Sequence, residues 1–539
     1  METPRESAAA KPPTVVGPLI EVRPFDARQV YETGASGYTW YRWTFDPNRA
    51  DNVEQALDWL FADLDLGYVR NAFDQALVSA NTVPATATRP ASRPTTGPAS
   101  ARYDIGKPDD IEVTPTGQGW PAPSFAIESY QFERPDSRNM WVYNRAKLRN
   151  PRTRLMTYAH LFPPAFRKPN GNKRWAGWPV DHELPYVDDY LAKWMFANLL
   201  NLRLNEGADV DVLDVYNEPD EIRFGAPPDA PADAPPDARD ALQRDAVAHL
   251  LHAVIPKLRA WVADPRRNRW GVKMPLVMAP STLGPRTAAR WLQFWHDHAD
   301  DPAYAYRDAW ANIDVVSVHQ YYGGYDPGPY AAINRIRGDR AFMQSEMHLG
   351  DDVLKQCPLP DPAMEDQLQA ALLLGRFFAN AVNNGVSVYD YYMGVSALEK
   401  PESLLRYEGR KFTRRKVYFA YRQLTRTQPR GSRVVASSLS GLPDGFDAVA
   451  FRHGDDDVIY VNVVNRTANA CALTLRLLDA EGRLLTVASV AATETSAARD
   501  DEPVDGAAAP AAAANAAADW TVDSPAHGIR CFAVRFRRR

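Results

Sequence analysis

The chain has 539 residues, 45% of them hydrophobic, and a formal net charge of −5. That length exceeds what a single compact core needs and implies one barrel-sized domain of about 250 residues or more with something attached. The charge is spread along the chain with no basic block beyond Arg537-Arg538-Arg539, which argues against a nucleic-acid partner. No apolar run approaches the ~20 residues of a membrane span, and Cys357, Cys471 and Cys531 are too scattered for a disulfide or metal framework.

Taken in chain order, METPRESAAAKPPT lacks an apolar signal region, so the chain as written reads as cytoplasmic; a misassigned start would make it secreted or periplasmic. Leu19-Ile20-Glu21-Val22 is a short strand. The aromatic run Tyr38 to Trp43 follows, with Trp40 offering a flat face for a sugar ring. Residues 51–65 place Val53, Ala56, Leu57, Leu60, Phe61 and Leu64 at helical spacing. Tyr68 to Phe73 is the next strand and carries Arg70. Residues 79–120, rich in Pro, Thr, Ser and Ala, form a loop insertion that would lie on the active-site rim of a barrel.

The alternation then continues. Strands are expected at 154–160, ending on His160, at 211–217, 276–280, 313–319, 341–346 and 386–391, the last containing Tyr389 and Tyr391. Helices are expected at 137–148, 186–205, 239–263, 285–299, 329–337, 363–383 and 412–425. Counting the stretch where Thr33 to Gly37 leads into the aromatic run as the first and Tyr68 to Phe73 as the second, about eight strand–helix units argue for an α/β fold of the (β/α)8 TIM-barrel type, spanning residues 36–427. No Gly-x-Gly-x-x-Gly loop follows any strand, so a nucleotide-binding sheet loses its usual support. From 428 to 539 short strands with period-two alternation predict an attached C-terminal β-sandwich, with residues 1–35 supplying a lead and one joining strand. The Ala-rich stretch 501–519 reads as a loose surface loop.

In such a barrel the chemistry sits at the C-terminal ends of the strands. Leu213 to Tyr216 is an apolar strand that stops at Asn217-Glu218-Pro219, and Ala341 to Ser345 stops at Glu346. An isolated Glu in such a place commonly caps a helix. Two of them, on strands four and seven, converge on one mouth and suit the paired carboxylates of glycoside hydrolysis. His319 and Tyr321, at the end of strand six, neighbour Glu346 and can hydrogen-bond it; Arg70 on strand two can pair with it.

Asn-Glu-Pro at strand four, Val-His-Gln-Tyr-Tyr at strand six and Gln-Ser-Glu at strand seven resemble clan A of the retaining glycoside hydrolases, and within it family 30. Residues 163–171, Pro-Pro-Ala-Phe-Arg-Lys-Pro-Asn-Gly, are similar to that family's segment after strand three, and residues 428–437 to its passage into a side β-sandwich. The resemblance implies a double displacement on a β-glycoside or β-linked oligo- or polysaccharide. Glu218 would be the acid/base, Glu346 the nucleophile and Asn217 the donor to the sugar 2-hydroxyl, with the carboxyl groups about 5–5.5 Å apart. His160, Trp40, Tyr389 and Tyr391 are further candidates for the sugar site. Tyrosines stand on strand eight where clan members carry a tryptophan. No cofactor or metal is expected. The competing readings are a transglycosylase on the same scaffold, a non-catalytic carbohydrate-binding barrel, and a metal-dependent hydrolase using His160, His319, Glu346 and His348.

Overall fold

The computed structural model describes residues 18–37, 42–73, 103–104, 114–115, 135–159, 162, 187–221, 236–321, 326–350, 353–354, 366–399, 401–505, 508–510 and 519–537. Eight parallel strands close into a barrel: β1 (Thr33–Gly37), β2 (Tyr68–Ala72), β3 (Arg154–Tyr158), β4 (Val212–Asp214), β5 (Leu276–Thr282), β6 (Val315–His319), β7 (Ala341–Glu346) and β8 (Val388–Asp390). Each pairs with its neighbours in chain order, and β8 returns to β1 through Val388 opposite Thr33. The barrel therefore begins at Thr33, inside the stretch read as the lead.

Strands buried on both faces need no polar alternation, and β6, Val-Val-Ser-Val-His, is buried at every position. The connecting helices show the opposite pattern. Helix Pro285–Asp297 buries Ala288, Trp291, Leu292 and Trp295 on one stripe and leaves its other face to solvent. Closure at β8 and β1 depends on a glycine. A Cβ on Gly34 would stand 2.4 Å from the Tyr421 hydroxyl, which accepts from the Ala35 amide at 3.0 Å and donates to the Tyr389 carbonyl at 2.6 Å.

One residue from each barrel strand, Ala35, Tyr68, Met156, Val212, Met278, Val315, Met343 and Val388, forms a separate apolar cluster inside the barrel. Two positions further along their strands stand Arg70, Tyr158, Asp214, Ser317 and Asp390, all buried. By the period of two they share the inner face, so a polar layer lies directly above the apolar one.

The second domain is a ten-stranded ladder. Its hydrogen-bonded order is Asp500–Pro503, Thr486–Thr495, Gly528–Arg537, Val458–Asn465, Phe446–Arg452, Arg433–Ser440, Leu19–Val30, Cys471–Leu477, Asp519–Ser524 and Ala508–Pro510. Its two arms fold over one core, in which Leu473, Leu475 and Val522 meet Val487, Phe532 and Val534, making a β-sandwich. Strand Phe446–Arg452 shows how it docks: Phe446, Ala448 and Ala450 face the sandwich core, whereas Val449 and Phe451 join the core of the barrel helices. Part of 501–519 differs from the expected loose loop, because Asp500–Pro503 and Ala508–Pro510 add edge strands. Edge pairing uses backbone groups, which an Ala-rich composition does not advertise. The 79–120 insertion lies outside the described residues apart from a short pairing of Tyr103–Asp104 with Thr114–Pro115. Among the described residues no helix is long and apolar enough to cross a membrane.

Candidate active site

Glu218 is set in place by backbone bonds that extend the sheet beyond β4. The Asn217 amide donates to the Ala159 carbonyl after β3 at 2.9 Å, and the Glu218 amide to the Ser281 carbonyl on β5 at 3.1 Å. The chain then turns sharply at Glu218, which has φ +51° and precedes Pro219. Both features are unfavourable for a non-glycine residue and cost about 1–3 kcal/mol. The neighbouring strands hold the turn against that cost and leave the Glu218 side chain 14% exposed at the barrel mouth.

Glu346 reaches the same mouth by another device. Along β7, Met343 faces the interior and Gln344 faces the helices, where it accepts from the Tyr330 hydroxyl at 2.6 Å. Strict alternation would send Glu346 outward with Gln344. A bulge prevents this: Val318 of β6 lies opposite Gln344 and His319 opposite Glu346, so two residues of β7 advance for one of β6.

Arg70 is the hub between them. Its Nη1 donates to Glu346 Oε2 at 2.5 Å, its Nη2 to Asp214 Oδ2 at 3.1 Å and to Asn217 Oδ1 at 2.6 Å, and its guanidinium lies 4.2 Å from the Tyr158 ring centre. Burial opposes the charge, but Glu346 and Asp214 outweigh it and hold the Arg70 pKa above its ordinary value. Burial raises Asp214 to about 6 in spite of Arg70. Asp390 is pushed well above the carboxylate range, mainly by burial, with Glu346 adding to the shift and Arg70 opposing it.

His319 lies between the two glutamates, its Nδ1 3.1 Å from Glu218 Oε1 and 3.4 Å from Glu346 Oε2. Burial, with Arg70 helping and Glu346 opposing, lowers its pKa to about 3, so the ring is neutral. Nδ1 is the ring nitrogen that faces both carboxyl groups. Tyr321 adds a hydrogen bond to Glu346, and burial followed by that charge lifts its phenol well above 10. One ligand atom from each of Glu218, His319 and Glu346 lies within 4.8 Å of the others.

Arg70, Asn217, Glu218, His319, Tyr321 and Glu346 are thus brought together. Tyr389 and Tyr391 are not. Tyr389 packs 5.3 Å from Phe378 and points its hydroxyl at Met347 Sδ, 3.8 Å away. Tyr391 bonds the Pro401 carbonyl at 2.8 Å and lies 5.9 Å from Tyr421. Both face the helical layer, because Val388 and Asp390 take the inward positions of β8. Tyr392 faces the site in their place, buried and within the field of Glu346, Tyr158 and Arg70. Trp40 and His160, and the segment 163–171, lie outside the described residues.

Asp214 and Tyr158 belong to the site although sequence reading did not select them. A charge inside the apolar run Val-Leu-Asp-Val was the available signal for Asp214. For Tyr158 it was the inward period counted from Met156. The proposed metal ligand His348 meets Tyr321 edge-to-face, with ring centres 4.9 Å apart, and does not join the Glu218–His319–Glu346 group.

No protein-family model and no curated protein sequence matches the chain. Solved structures do. A GH30 endoxylanase from Clostridium papyrosolvens C71 superposes with a TM-score of 0.60 at 12% identity, covering 96% of this chain and all of that one. SrfJ from Salmonella typhimurium gives 0.60 at 14%, covering 98% of this chain and 94% of its own. An endo-β1,6-glucanase gives 0.55 at 12%, covering 97% and 95%. Over nearly its whole length the chain has the fold of these structures, a (β/α)8 barrel carrying a β-sandwich, as in the family 30 glycoside hydrolase.

Proposed function

We propose that the chain is a retaining glycoside hydrolase that cleaves β-glycosidic bonds by double displacement, with Glu346 as nucleophile and Glu218 as general acid/base. The observation that supports this most directly is the spacing: an oxygen of Glu218 and one of Glu346, from different strand ends, lie within 4.8 Å of each other. Retaining pairs stand about 5–5.5 Å apart, whereas inverting pairs need roughly 6.5–9.5 Å to admit a water.

The surroundings support the two roles. Carboxylates this close resist ionising together. The Arg70 guanidinium and the Tyr321 hydroxyl both donate to Glu346, which suits a carboxylate nucleophile and leaves the proton-donor role to Glu218. Glu346 attacks the anomeric carbon while Glu218 protonates the departing oxygen. Glu346 is then a neutral ester, and Glu218, having lost its proton, draws one from the incoming water, which releases the sugar and restores both groups. Arg70 accepts no proton in the cycle; it orients Glu346 and, by donating to Asn217 Oδ1, turns the Asn217 Nδ2 donor toward the sugar 2-hydroxyl. A sugar alcohol replacing the water would give transglycosylation by the same steps.

A metal held by Glu218, His319 and Glu346 is disfavoured by Arg70. Its guanidinium sits on Glu346 Oε2, the same oxygen that faces His319, and a bound cation would share that lone pair with a fixed positive charge. One neighbour is an endoxylanase and another an endo-β1,6-glucanase, so the shared architecture selects no sugar.

The test is a panel of aryl β-glycosides and β-linked polysaccharides with wild type, Glu346→Ala and Glu218→Ala, repeated in a chelator. Glu346→Ala should lose roughly 10⁴-fold or more in kcat. Glu218→Ala should lose most activity, recover part of it with azide and yield the β-glycosyl azide. The chelator should change nothing. Unchanged rates in either variant would remove the mechanism.

A further inference from the structure

The N-terminal end of the barrel, opposite the glutamates, holds a cavity of about 430 Å³. Its walls come from three places: the loops entering β1, β2 and β3, with Thr33, Asp65 and Arg152; the end of helix Lys416–Arg426 and the passage that follows, with Arg426 and Arg430; and a turn of the sandwich, with His453. Barrel and sandwich therefore both contribute.

The charges in this cavity do not balance locally. Asp65 is already engaged, its Oδ2 3.2 Å from Arg152 and 3.1 Å from Arg426, with Asn150 donating to Oδ1 at 2.8 Å. Glu32 is engaged by Arg154 at 2.9 Å. Arg430 makes no ion pair among the described residues, and its Nη1 is buried without a hydrogen-bond partner. The Nδ1 of His453 is also buried and unpartnered. The guanidinium lies close against the backbone before β2: a Cβ on Gly67 would stand 2.2 Å from Thr33 Cγ2 and 2.7 Å from Arg430 Nη2. Burial lowers the Arg430 pKa; Asp65 and, more weakly, Glu32 oppose the shift, and Arg152 and Arg154 add to it. A half-buried guanidinium among other arginines, with its Nη1 buried and unpartnered and the nearby carboxylates Asp65 and Glu32 bonded to other arginines, is a place for an anion.

We propose that this cavity binds a phosphate-type oxyanion, free or carried as a phosphomonoester, through Arg430 and His453 in the field of Arg152 and Arg426, and so ties the barrel to the sandwich. The shape of the donor set favours it: a fork of N–H groups and an imidazole suit a tetrahedral oxyanion, whereas a sugar hydroxyl would leave the positive charge uncompensated.

The full-length protein, in phosphate-free buffer at constant ionic strength, is titrated with inorganic phosphate and separately with glycerol phosphate, by calorimetry and thermal unfolding. Saturable one-to-one binding is expected, with a Tm rise of about 2 °C or more at saturation that chloride does not reproduce. Arg430→Gln should weaken binding roughly tenfold or more. Tighter binding of glycerol phosphate assigns the site to an ester, and equal binding to the phosphate group alone. Absence of saturable binding to wild type overturns the proposal, as does equal affinity in wild type and Arg430→Gln. Should that variant fail to fold, His453→Asn is read in the same titration, and unchanged affinity there overturns it equally. Glu346→Ala should bind phosphate as wild type does, which separates this site from the proposed catalytic one.

Discussion

Two layers of the same barrel interior, one step of alternation apart, carry opposite kinds of side chain. The lower takes an apolar residue from every strand, among them Met156, Val315 and Met343. The upper takes Arg70, Tyr158, Asp214, Ser317 and Asp390 from five of the same strands. Both are dry. The lower layer gains from burial, at about 25 cal/mol per Å² of apolar surface. The upper layer costs free energy to desolvate, and Arg70 offsets that cost by bonding to Asp214, Asn217 and Glu346 together. The apolar layer and the layer proposed for the chemistry are thus stacked along the barrel axis and made from the same strands.

Substitutions can break that division. Arg70→Ala should have the largest effect, because it strands buried carboxylates: a loss of about 3–5 kcal/mol in stability and of roughly a hundredfold or more in kcat. Denaturant unfolding and steady-state kinetics would measure the two losses. Arg70→Lys should rescue little, since one ammonium cannot reproduce three bonds from a fork. Met343→Ala, one layer down, should cost about 2–5 kcal/mol and leave the pH dependence of kcat unchanged. A shifted pH profile in that variant would show that the layers are coupled, against the separation described here.

Asp214→Asn sharpens the same comparison. The folded-state pKa of Asp214 is about 6, above its ordinary 3.8, because burial favours the neutral acid. Its contribution to stability is therefore complete below pH 3.8 and is lost as the pH rises through about 6. Asn cannot titrate, so the variant's stability should fall less than that of wild type across this window, read from urea midpoints at several pH values. The smallest effect is expected for Tyr389→Phe, which removes only a weak contact with Met347 on the helical side: less than about 1 kcal/mol and no change in KM. A raised KM would place Tyr389 in the sugar site after all.

The strand–helix alternation was legible because each amphipathic helix writes its buried stripe into the sequence, as Ala288, Trp291, Leu292 and Trp295 do. Glu218 and Glu346 stood out as acids closing apolar runs. Strand β8 was harder to read. With Val388, Tyr389, Asp390, Tyr391 and Tyr392 all buried, no polar alternation marks the inner face. The inward tyrosine, Tyr392, could not be told from its two outward neighbours by composition alone.

Local sequence by itself determined that eight strands alternate with helices, that a sheet-rich domain follows, and that two glutamates end strands four and seven, since each of these depends on periodicity within a few residues. Only the tertiary structure decided which way Glu346 points. A period of two sends it to the helices, and the bulge between β6 and β7 turns it to face His319 and Arg70. A bulge is a mismatch between two strands, and neither strand's sequence carries it alone.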